Sequence, residues 1–571
     1  MTKNKQGSVL LRRLLFGVVF LSFALPGARA QARYHRFDRP PMAHRHRRGQ
    51  RLRRRLQQRT PPRVTDLSAA ITEVLNSPSV ARAHWGIEVT TLTGAPVYSL
   101  HANQFFHPAS NAKLLTTAAT LDLMDPNAHW RTQVVTTGTT DASGTLHGNL
   151  VILGSGDPTL SGRIYPYDGR TERTNNTTQA FESMADQIVK DGIRHIDGNI
   201  IGNDTWFTWE PYGQGWAQDD LMWDYGAPIS ALTINDNVVY LNIEPAAYAH
   251  WLSTPGVALI PYRTPTGVED VTWNPPVPYY HLINTSRVTR SRRASAGLNR
   301  APGSMGLSLF GTINANGVHV GLAIKDPAQF TAMTFAHLLR ERGITITGTA
   351  LAQHQMPSNT GNFEQEREQP VDLHLILNPV LGPSADGRRV LAFYVSRATL
   401  AQDVKVTLKV SQNLHAELYL RDLGRYELGQ GSFIDGARVV RQFMQQAGVS
   451  SKEYLFFDGS GMSYQDIITP HAIATLLAYA AHQPWGALYR NALPVGGVDG
   501  TLQDRFTAPW IRGRVDAKTG TLSEVNTLSG YITDRSGQTL VFSILCNSHR
   551  PGTYAEREAI DRIVEAVAAH E

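Results

Sequence analysis

The apolar residues of this chain follow two different patterns, one of which predicts helices and the other strands. An apolar residue every three to four positions, after a capping residue, predicts helices over residues 66–75, 400–424, 469–481 and 554–570. β-Branched runs bounded by turn residues predict strands over residues 84–91, 96–100, 526–532 and 540–546. The long stretch between these groups has short apolar runs broken by Gly, Asn, Asp and Pro, which predicts β-rich modules.

A strongly apolar helix that begins near Pro108 contains the first candidate site. Proline suits the first turn of a helix, where its missing N–H has no intrahelical partner. Ser110 and Lys113 are three residues apart and are therefore neighbours on one helical face. Burial favours the neutral form of a lysine, and a neutral amine can take the proton of a serine nucleophile. Because Ser-x-x-Lys arises by chance at average composition, this pair alone does not establish a site.

Two downstream motifs strengthen the interpretation of Ser110 and Lys113 as a site. Ser411-Gln412-Asn413 lies in or beside the predicted helix over residues 400–424, and Lys518-Thr519-Gly520-Thr521 opens a predicted strand. Ser-x-x-Lys, Ser-x-Asn and Lys-Thr-Gly in this order are the signature of penicillin-binding proteins and serine β-lactamases. The order therefore indicates acyl-transfer chemistry.

The N-terminus has the pattern of an export signal. Basic residues precede an apolar run over residues 14–25, and Ala28-Arg29-Ala30 offers small residues at a cleavage site. The run is too short for a permanent span, although an uncleaved anchor remains the alternative. Cys546 is the only cysteine, which excludes a lipoprotein, and its apolar surroundings predict a buried side chain.

Residues 31–63 form a basic, low-complexity arm. It contains 12 arginines and a single acidic residue, Asp38, whereas the whole chain has a net charge of only +6. A segment without apolar periodicity cannot offset its ordering entropy, so we expect disorder. Export excludes a nucleic-acid partner, which leaves attraction to anionic lipid or acidic wall polymers, or a solvated tether without a specific role. No metal-ligand spacing and no cofactor motif are found.

From about residue 64 to the C-terminus the chain resembles the low-molecular-mass penicillin-binding proteins of class C, the D-Ala-D-Ala carboxypeptidases and endopeptidases of peptidase family S13. Beyond the three motifs, the resemblance extends to the stretches at residues 154–160, 196–204, 215–221, 458–463 and 493–502. The resemblance implies a serine β-lactamase/transpeptidase-like α/β domain interrupted by β-rich inserted domains. The expected division is a signal peptide (1–30), the arm (31–63), a first transpeptidase-like segment (64–132), the inserted domains (133–390) and a second transpeptidase-like segment (391–571).

The resemblance also implies a role for each motif residue. Ser110 is the nucleophile and Lys113 the base, while Ser411 passes a proton and Asn413 orients Lys113 and the substrate backbone. Lys518 and Thr519, within the segment Lys518-Thr519-Gly520-Thr521, bind the terminal carboxylate of a D-Ala-D-Ala peptide. The backbone N–H groups of Ser110 and Thr521 form the oxyanion hole. The implied partners are peptidoglycan peptides and β-lactam antibiotics, met in the periplasm or at the cell-wall face.

Three rival classes are weighed against this interpretation. A Ser-His-Asp hydrolase would need a Gly-x-Ser-x-Gly elbow, which is absent. A serine β-lactamase shares the acylation chemistry, but the class A Glu-x-x-x-Asn pattern is missing between the second and third motifs, and class C enzymes have a tyrosine where this chain has Ser411. A non-enzymatic cell-wall-binding protein finds its best support in the basic arm.

Deleting residues 31–63 tests the arm. Because a disordered arm adds no core, the melting temperature should stay nearly unchanged, while retention on isolated cell-wall material should fall, most clearly at low salt. Differential scanning calorimetry measures the melting temperature, and a wall-pelleting assay measures the retention. A large fall in melting temperature would show that the arm folds onto the body.

Overall fold

The computed structural model of the protein describes residues 64–169, 176–245, 260–264, 267–289, 291, 294–358 and 363–570. The predicted signal peptide at residues 1–30 and the arm at residues 31–63 lie outside them. Within the described ranges, no helix is both long enough and apolar enough to cross a bilayer.

The elements alternate between helices and short strands. The α-helices are α1 (Leu67–Leu75), α2 (Ala112–Leu123), α3 (Gln179–Lys190), α4 (Pro327–Glu341), α5 (Phe363–Glu366), α6 (Leu400–Val410), α7 (Asn413–Leu428), α8 (Phe433–Gln446), α9 (Pro470–Ala480), α10 (Gly486–Ala492) and α11 (Ala555–Ala569). Single 3₁₀ turns lie at Ala109–Asn111, Asp224–Gly226, Asn235–Asn237 and Gly500–Leu502.

The strands fall into mixed sheets. They are β1 (His84–Thr91), β2 (Pro96–Leu100), β3 (His129–Thr136), β4 (Thr139–Thr140), β5 (Thr145–His147), β6 (Leu150–Leu153), β7 (His195–Asp197), β8 (Ile200–Thr208), β9 (Val238–Pro245), β10 (Ile260–Thr264), β11 (Gly267–Asn274), β12 (His281–Asn284), β13 (Arg287–Val288), β14 (Ala296–Asn299), β15 (Gly306–Ile313), β16 (Val318–Ala323), β17 (Thr345–Ile346), β18 (Ala350–Gln355), β19 (Val380–Leu381), β20 (Arg389–Val395), β21 (Tyr454–Leu455), β22 (Ile467–Ile468), β23 (Val515–Leu522), β24 (Val525–Thr533) and β25 (Thr539–Asn547).

A five-stranded antiparallel sheet unites the two ends of the described chain. Its order is β2-β1-β25-β24-β23, so an N-terminal hairpin pairs with strands more than 400 residues later. Alternation along β25 sends Phe542 and Ile544 towards α1 and α11, and Val541 and Leu545 towards α9. Cys546 is buried as a free thiol, as predicted.

The predicted helix over residues 400–424 is wrong in one respect, because it is two helices. Ser411 ends α6 in the left-handed conformation, with φ 61° and its N–H donated to the carbonyl of Thr407. The Gln412 side chain then accepts from the N–H of Leu414 and caps α7. Periodicity cannot detect this break, because both helices contribute apolar residues to the same core.

The stretch between the first two motifs packs around a core of its own and is less purely β than predicted. Helices α3 and α4 cover a sheet of order β18-β8-β6-β3-β19, in which β20 also pairs with β3, and smaller sheets adjoin it. The expected boundaries at residues 132/133 and 390/391 fall inside β3 and β20, which pair antiparallel. The domain division stays a prediction. The mixture of sheets and helices agrees with the predicted α/β multidomain class.

Candidate active site

Ser110 lies at the entrance of α2, in a turn held by hydrogen bonds to side chains of the sheet. The Thr527 hydroxyl donates to the carbonyl of Pro108 at 2.9 Å, and the Asn111 amide donates to Ser529 Oγ at 2.8 Å. Ala109 itself has a positive φ of 47°, a strained conformation for a residue with a Cβ. The turn is thus fixed against β24 before α2 begins.

Two glycines let neighbouring chain approach this turn. A Cβ at Gly520, in β23, would collide with Thr527 and crowd the carbonyl of Pro108. A Cβ at Gly461 would collide with the carbonyl of Ala109, and Gly461 also has a positive φ of 81°. Glycine tolerates both constraints. The Lys-Thr-Gly strand and the loop at residues 458–463 can therefore close on Ser110 from two sides.

Lys113 is fully buried, and its Nζ contacts three oxygen atoms. The distances are 3.0 Å to Ser110 Oγ, 2.6 Å to Asn413 Oδ1 and 2.6 Å to the carbonyl of Ser460. A neutral amine has two hydrogens and one lone pair, whereas the amide and carbonyl oxygens only accept. Of the three partners, only the Ser110 hydroxyl can donate to that lone pair. Deprotonated Lys113 therefore points its lone pair at the Ser110 proton.

The surroundings of Lys113 lower its pKa to about 7. Burial is the main cause, and the carboxyl groups of Asp458, Glu417 and Asp466 offset it in part. Burial and the neighbouring Asp458 also raise the pKa of Glu417 to about 7 and that of Asp466 well above its usual range. A base with a pKa near the working pH is efficient in proton transfer.

The loop at residues 458–463 was not predicted from the sequence as a direct partner of Lys113. The Asp458 carboxylate accepts from the N–H groups of Gly461 at 2.6 Å and Ser463 at 2.8 Å. Glu417 accepts from the N–H groups of Gly459 and Ser460, each at 2.9 Å. These bonds aim the Ser460 carbonyl at Lys113. The signal in the sequence was the Asp-Gly-Ser-Gly run, interpreted there as a feature of the resemblance and not as a contact of the base.

Ser411 and Asn413 reach the site from the junction between α6 and α7. Ser411 Oγ accepts from Lys518 Nζ at 2.8 Å. Asn413 presents its oxygen to Lys113, and its amide nitrogen donates to the carbonyl of Tyr225 at 2.8 Å. Because a carbonyl can only accept, the Tyr225 contact sets which end of the Asn413 amide meets Lys113. Tyr225 was not foreseen from the sequence.

Lys518 faces the same centre from β23. It is fully buried, and its Nζ also donates to the carbonyl of Thr519 at 2.7 Å. Burial and the nearby Lys113 hold the pKa of Lys518 well below its usual range. A carboxylate bound here would relieve both effects, because an opposite charge favours the charged form of an amine. The site is therefore poised to take an anion.

The side chains of Thr519 and Thr521 lie on the face of β23 opposite to that of Lys518. The Thr519 hydroxyl is 2.8 Å from that of Thr501, and Thr521 is exposed. Strand β23 is an edge strand of the five-stranded sheet. Among the described residues, the only β-bridge on its free hydrogen-bonding edge joins Asp516 to Val495. Free N–H and C=O groups at such an edge can pair with an extended peptide. The structure thus brings Ser110, Lys113, Ser411, Asn413 and Lys518 into one centre beside this edge.

The chain is similar to known proteins over most of its length. The family model described as D-Ala-D-Ala carboxypeptidase 3 (S13) matches residues 67–385 and 380–570. The chain is 28% identical over 527 residues to the D-alanyl-D-alanine carboxypeptidase of Actinomadura sp. (strain R39), with 89% of this chain and 86% of the relative covered. It is 24% identical over 462 residues to the D-alanyl-D-alanine carboxypeptidase DacB of Haemophilus influenzae, covering 79% and 82% respectively.

The fold has a solved counterpart. The crystal structure of penicillin binding protein 4 from Haemophilus influenzae superposes with a TM-score of 0.66 at 20% identity, covering 87% of this chain and 98% of the other. At this identity the likeness concerns the fold alone. The predicted fold class and the family resemblance are confirmed.

The pKa of Lys113 leads to a test by pH. The neutral fraction of Lys113 falls below pH 7, so the rate of acylation by a penicillin should rise with pH through about 7 and fall about tenfold per pH unit below it. Because Glu417 titrates in the same range, the acid limb belongs to the pair. Stopped-flow acylation from about pH 5 to 8 measures the profile.

Lys113→Arg provides the control for this profile. A guanidinium remains charged throughout the range, so the variant should react slowly and show no limb near 7. A wild-type rate that does not change across the range would contradict the assignment of Lys113 as the base.

Proposed function

The chain belongs to the D-Ala-D-Ala carboxypeptidase 3 (S13) family, and we propose that it cleaves D-Ala-D-Ala peptides and cross-links of peptidoglycan through an acyl-enzyme on Ser110. It is a serine-type carboxypeptidase/endopeptidase. The observation that carries the residue assignment is the lone pair of buried Lys113, for which Ser110 Oγ is the only donor among its three contacts.

Acylation begins when Lys113 takes the Ser110 proton. The Oγ attacks the carbonyl carbon of the penultimate D-Ala, and the electron pair moves to the carbonyl oxygen. When the tetrahedral intermediate collapses, the C–N bond breaks and the leaving amine takes a proton from Lys113, directly or through the Ser411 hydroxyl. Water then attacks the Ser110 ester while Lys113 takes a proton from that water. The C–O bond to Ser110 breaks as Lys113 returns this proton to Oγ, which releases the product as its carboxylic acid and restores Ser110.

The charge that develops on the carbonyl oxygen needs donors. We assign this role to the backbone N–H groups of Ser110 and Thr521, since the first lies in the 3₁₀ turn that precedes α2 and the second lies on the edge strand β23. Preorganised N–H donors are commonly the largest single contribution in acyl transfer.

Lys518 and Thr519 bind the terminal carboxylate of the substrate. Lys518 is the cation whose pKa recovers when an anion arrives. Thr519 follows it on β23, and its hydroxyl lies 2.8 Å from that of Thr501. Gly520 keeps this strand close to the Ser110 turn. Asn413 orients Lys113 through its amide oxygen.

The substrate class sets the location. Peptidoglycan lies outside the cytoplasmic membrane, so the enzyme is exported, and we propose the periplasm or the cell-wall face as its place of action. β-Lactams are the covalent inhibitors expected of such a site. For the arm at residues 31–63 we propose attraction to anionic wall polymers or lipid headgroups, on the strength of its charge alone.

A penicillin should form a lasting adduct on Ser110, while a D-Ala-D-Ala peptide turns over with release of D-alanine. Intact-mass spectrometry and peptide mapping detect the adduct, and a D-alanine assay detects turnover. Ser110→Ala should lose the adduct and several orders of magnitude in turnover, whereas Ser536→Ala, in a surface turn, should retain both. Rapid penicillin hydrolysis without an adduct would instead identify a β-lactamase.

Lys518→Ala tests recognition of the terminal carboxylate. The variant should lose roughly tenfold to a hundredfold in kcat/KM on a peptide with a free carboxylate, the range of a charge-assisted hydrogen bond. An amidated peptide of the same sequence should lose much less. Equal losses on the two peptides would remove Lys518 from this role.

A further inference from the structure

The segment between the first two motifs contains a buried turn of unusual conformation. Asn235, Asp236 and Asn237 all have positive φ, at 49°, 54° and 56°, and all three are buried. Consecutive left-handed residues other than glycine are costly, and such strain persists only where the surroundings hold it. Asn and Asp bear this conformation best, and the two asparagine amides bond to the carbonyls of Val238 and Pro228.

This turn holds the Asp236 carboxylate against three partners. Arg163 contacts Oδ2 with Nη2 at 2.6 Å and with Nε at 2.7 Å. Gln412 Nε2 donates to the same oxygen at 2.8 Å, and His415 Nε2 is 3.4 Å from Oδ1. Gln412 is the middle residue of the Ser-x-Asn motif. The turn therefore contacts the second catalytic motif through its central side chain.

His415 extends the cluster to the helix before the motif. Its Nδ1 lies 3.1 Å from the Asp403 carboxylate, an ionic contact, and Asp403 also accepts from the hydroxyl of Tyr165 at 2.6 Å and from that of Tyr419. Asp403 belongs to α6 and His415 to α7. The cluster consequently joins the two helices on either side of Ser411 to each other and to the segment that contains Asp236.

Charge balance explains why the cluster can be buried. Burial alone lowers the pKa of His415, but the Asp403 and Asp236 carboxylates outweigh it and raise the pKa to about 9. With His415 protonated, the cations Arg163 and His415 lie directly against the carboxylates of Asp236 and Asp403, and charges paired in this way can be buried. Asp157, whose pKa burial raises to about 6, interacts with the same cluster. The titratable and charged groups around His415 are Asp157, Arg163, Tyr165, Asp236, Asp403 and Tyr419.

We infer that Asp236 and His415 are positioning residues which hold Ser411 and Asn413 in their working places. Ser411 has a left-handed backbone of its own, so it needs an anchor, and Gln412 supplies it by capping α7 with Oε1 while Nε2 is tied to Asp236. The segment that contains Asp236 thus contributes to the active site by positioning Ser411 and Asn413. This inference rests on the proposed function, because its readout is acylation of Ser110.

The chain offers a matched control in the same segment. His354 also lies between two carboxylates, with Nδ1 2.8 Å from Asp204 and Nε2 3.3 Å from Asp326. The contacts of this second cluster in the described residues do not include Ser411, Gln412 or Asn413. Asp204→Asn therefore removes the same kind of buried charge as Asp236→Asn without touching the motif.

The experiment compares acylation by a fluorescent penicillin in wild type, Asp236→Asn, Asp204→Asn and Gln412→Met, with the melting temperature of each. Asparagine suits the left-handed turn, so Asp236→Asn removes the charge while the backbone is kept. Asp236→Asn and Gln412→Met should acylate about tenfold to a hundredfold more slowly, the cost of misplacing a catalytic group. Asp204→Asn should stay within about twofold of wild type.

The pH profile separates positioning from simple destabilisation. Deprotonation of His415 unbalances the cluster, so wild-type acylation should decline above about pH 9. Loss of one carboxylate lowers the pKa of His415 and should move this decline to lower pH in Asp236→Asn but not in Asp204→Asn. If Asp236→Asn does not fold, the acylation rate of Gln412→Met alone decides whether the inference holds.

Two results overturn the inference. One is wild-type acylation in Gln412→Met, and the other is equal loss in Asp236→Asn and Asp204→Asn with an unmoved pH profile. A wild-type protein that is not acylated at all would contradict the proposed function instead, so the two failures are distinguishable.

Discussion

The active site depends on the burial of one amine. Lys113 has no contact with solvent, and the cost of burying its charge brings its pKa to about 7. Three oxygen atoms then fix where its hydrogens and lone pair point, and of these only Ser110 Oγ can donate to the lone pair. The Ser110 turn, the loop at residues 458–463 and the junction between α6 and α7 all serve this arrangement.

Lys518 is a second buried lysine in the same centre, and we propose that it gives the site its affinity for anions. Lys113 and Lys518 repel one another, and Ser411 accepts from Lys518 in the same centre. A carboxylate bound beside Lys518 would relieve the repulsion, and substrate binding would then be coupled to the charge state of the site. Pairing of opposite charges also acts in the cluster beside Gln412, where Asp236 and Asp403 make it possible to bury Arg163 and His415.

Local sequence predicted the elements well and their junctions poorly. Asp66 caps α1, and the alternating run of β25 forms a central strand, because capping and side-chain period depend on near neighbours. The break at Ser411 was missed, since its left-handed conformation is held by contacts from outside the two helices. Likewise, Tyr225 meets Asn413 across 188 residues, and Ser460 meets Lys113 across 347. No local pattern encodes such pairs.

The sequence by itself determined which chemistry is available and to which family the chain belongs. Three motifs in a fixed order indicate acyl transfer, and the family resemblance that they carry predicts the nucleophile, the base and the anion-binding lysine. Only the tertiary structure decided how each one is tuned. Burial sets the pKa of Lys113, and the backbone carbonyls of Ser460 and Tyr225 orient Lys113 and Asn413. The left-handed turn at Asp236 reaches the middle of the second motif. Solvation and hydrogen-bond geometry are properties of neighbours in space, and the fold alone brings those neighbours together.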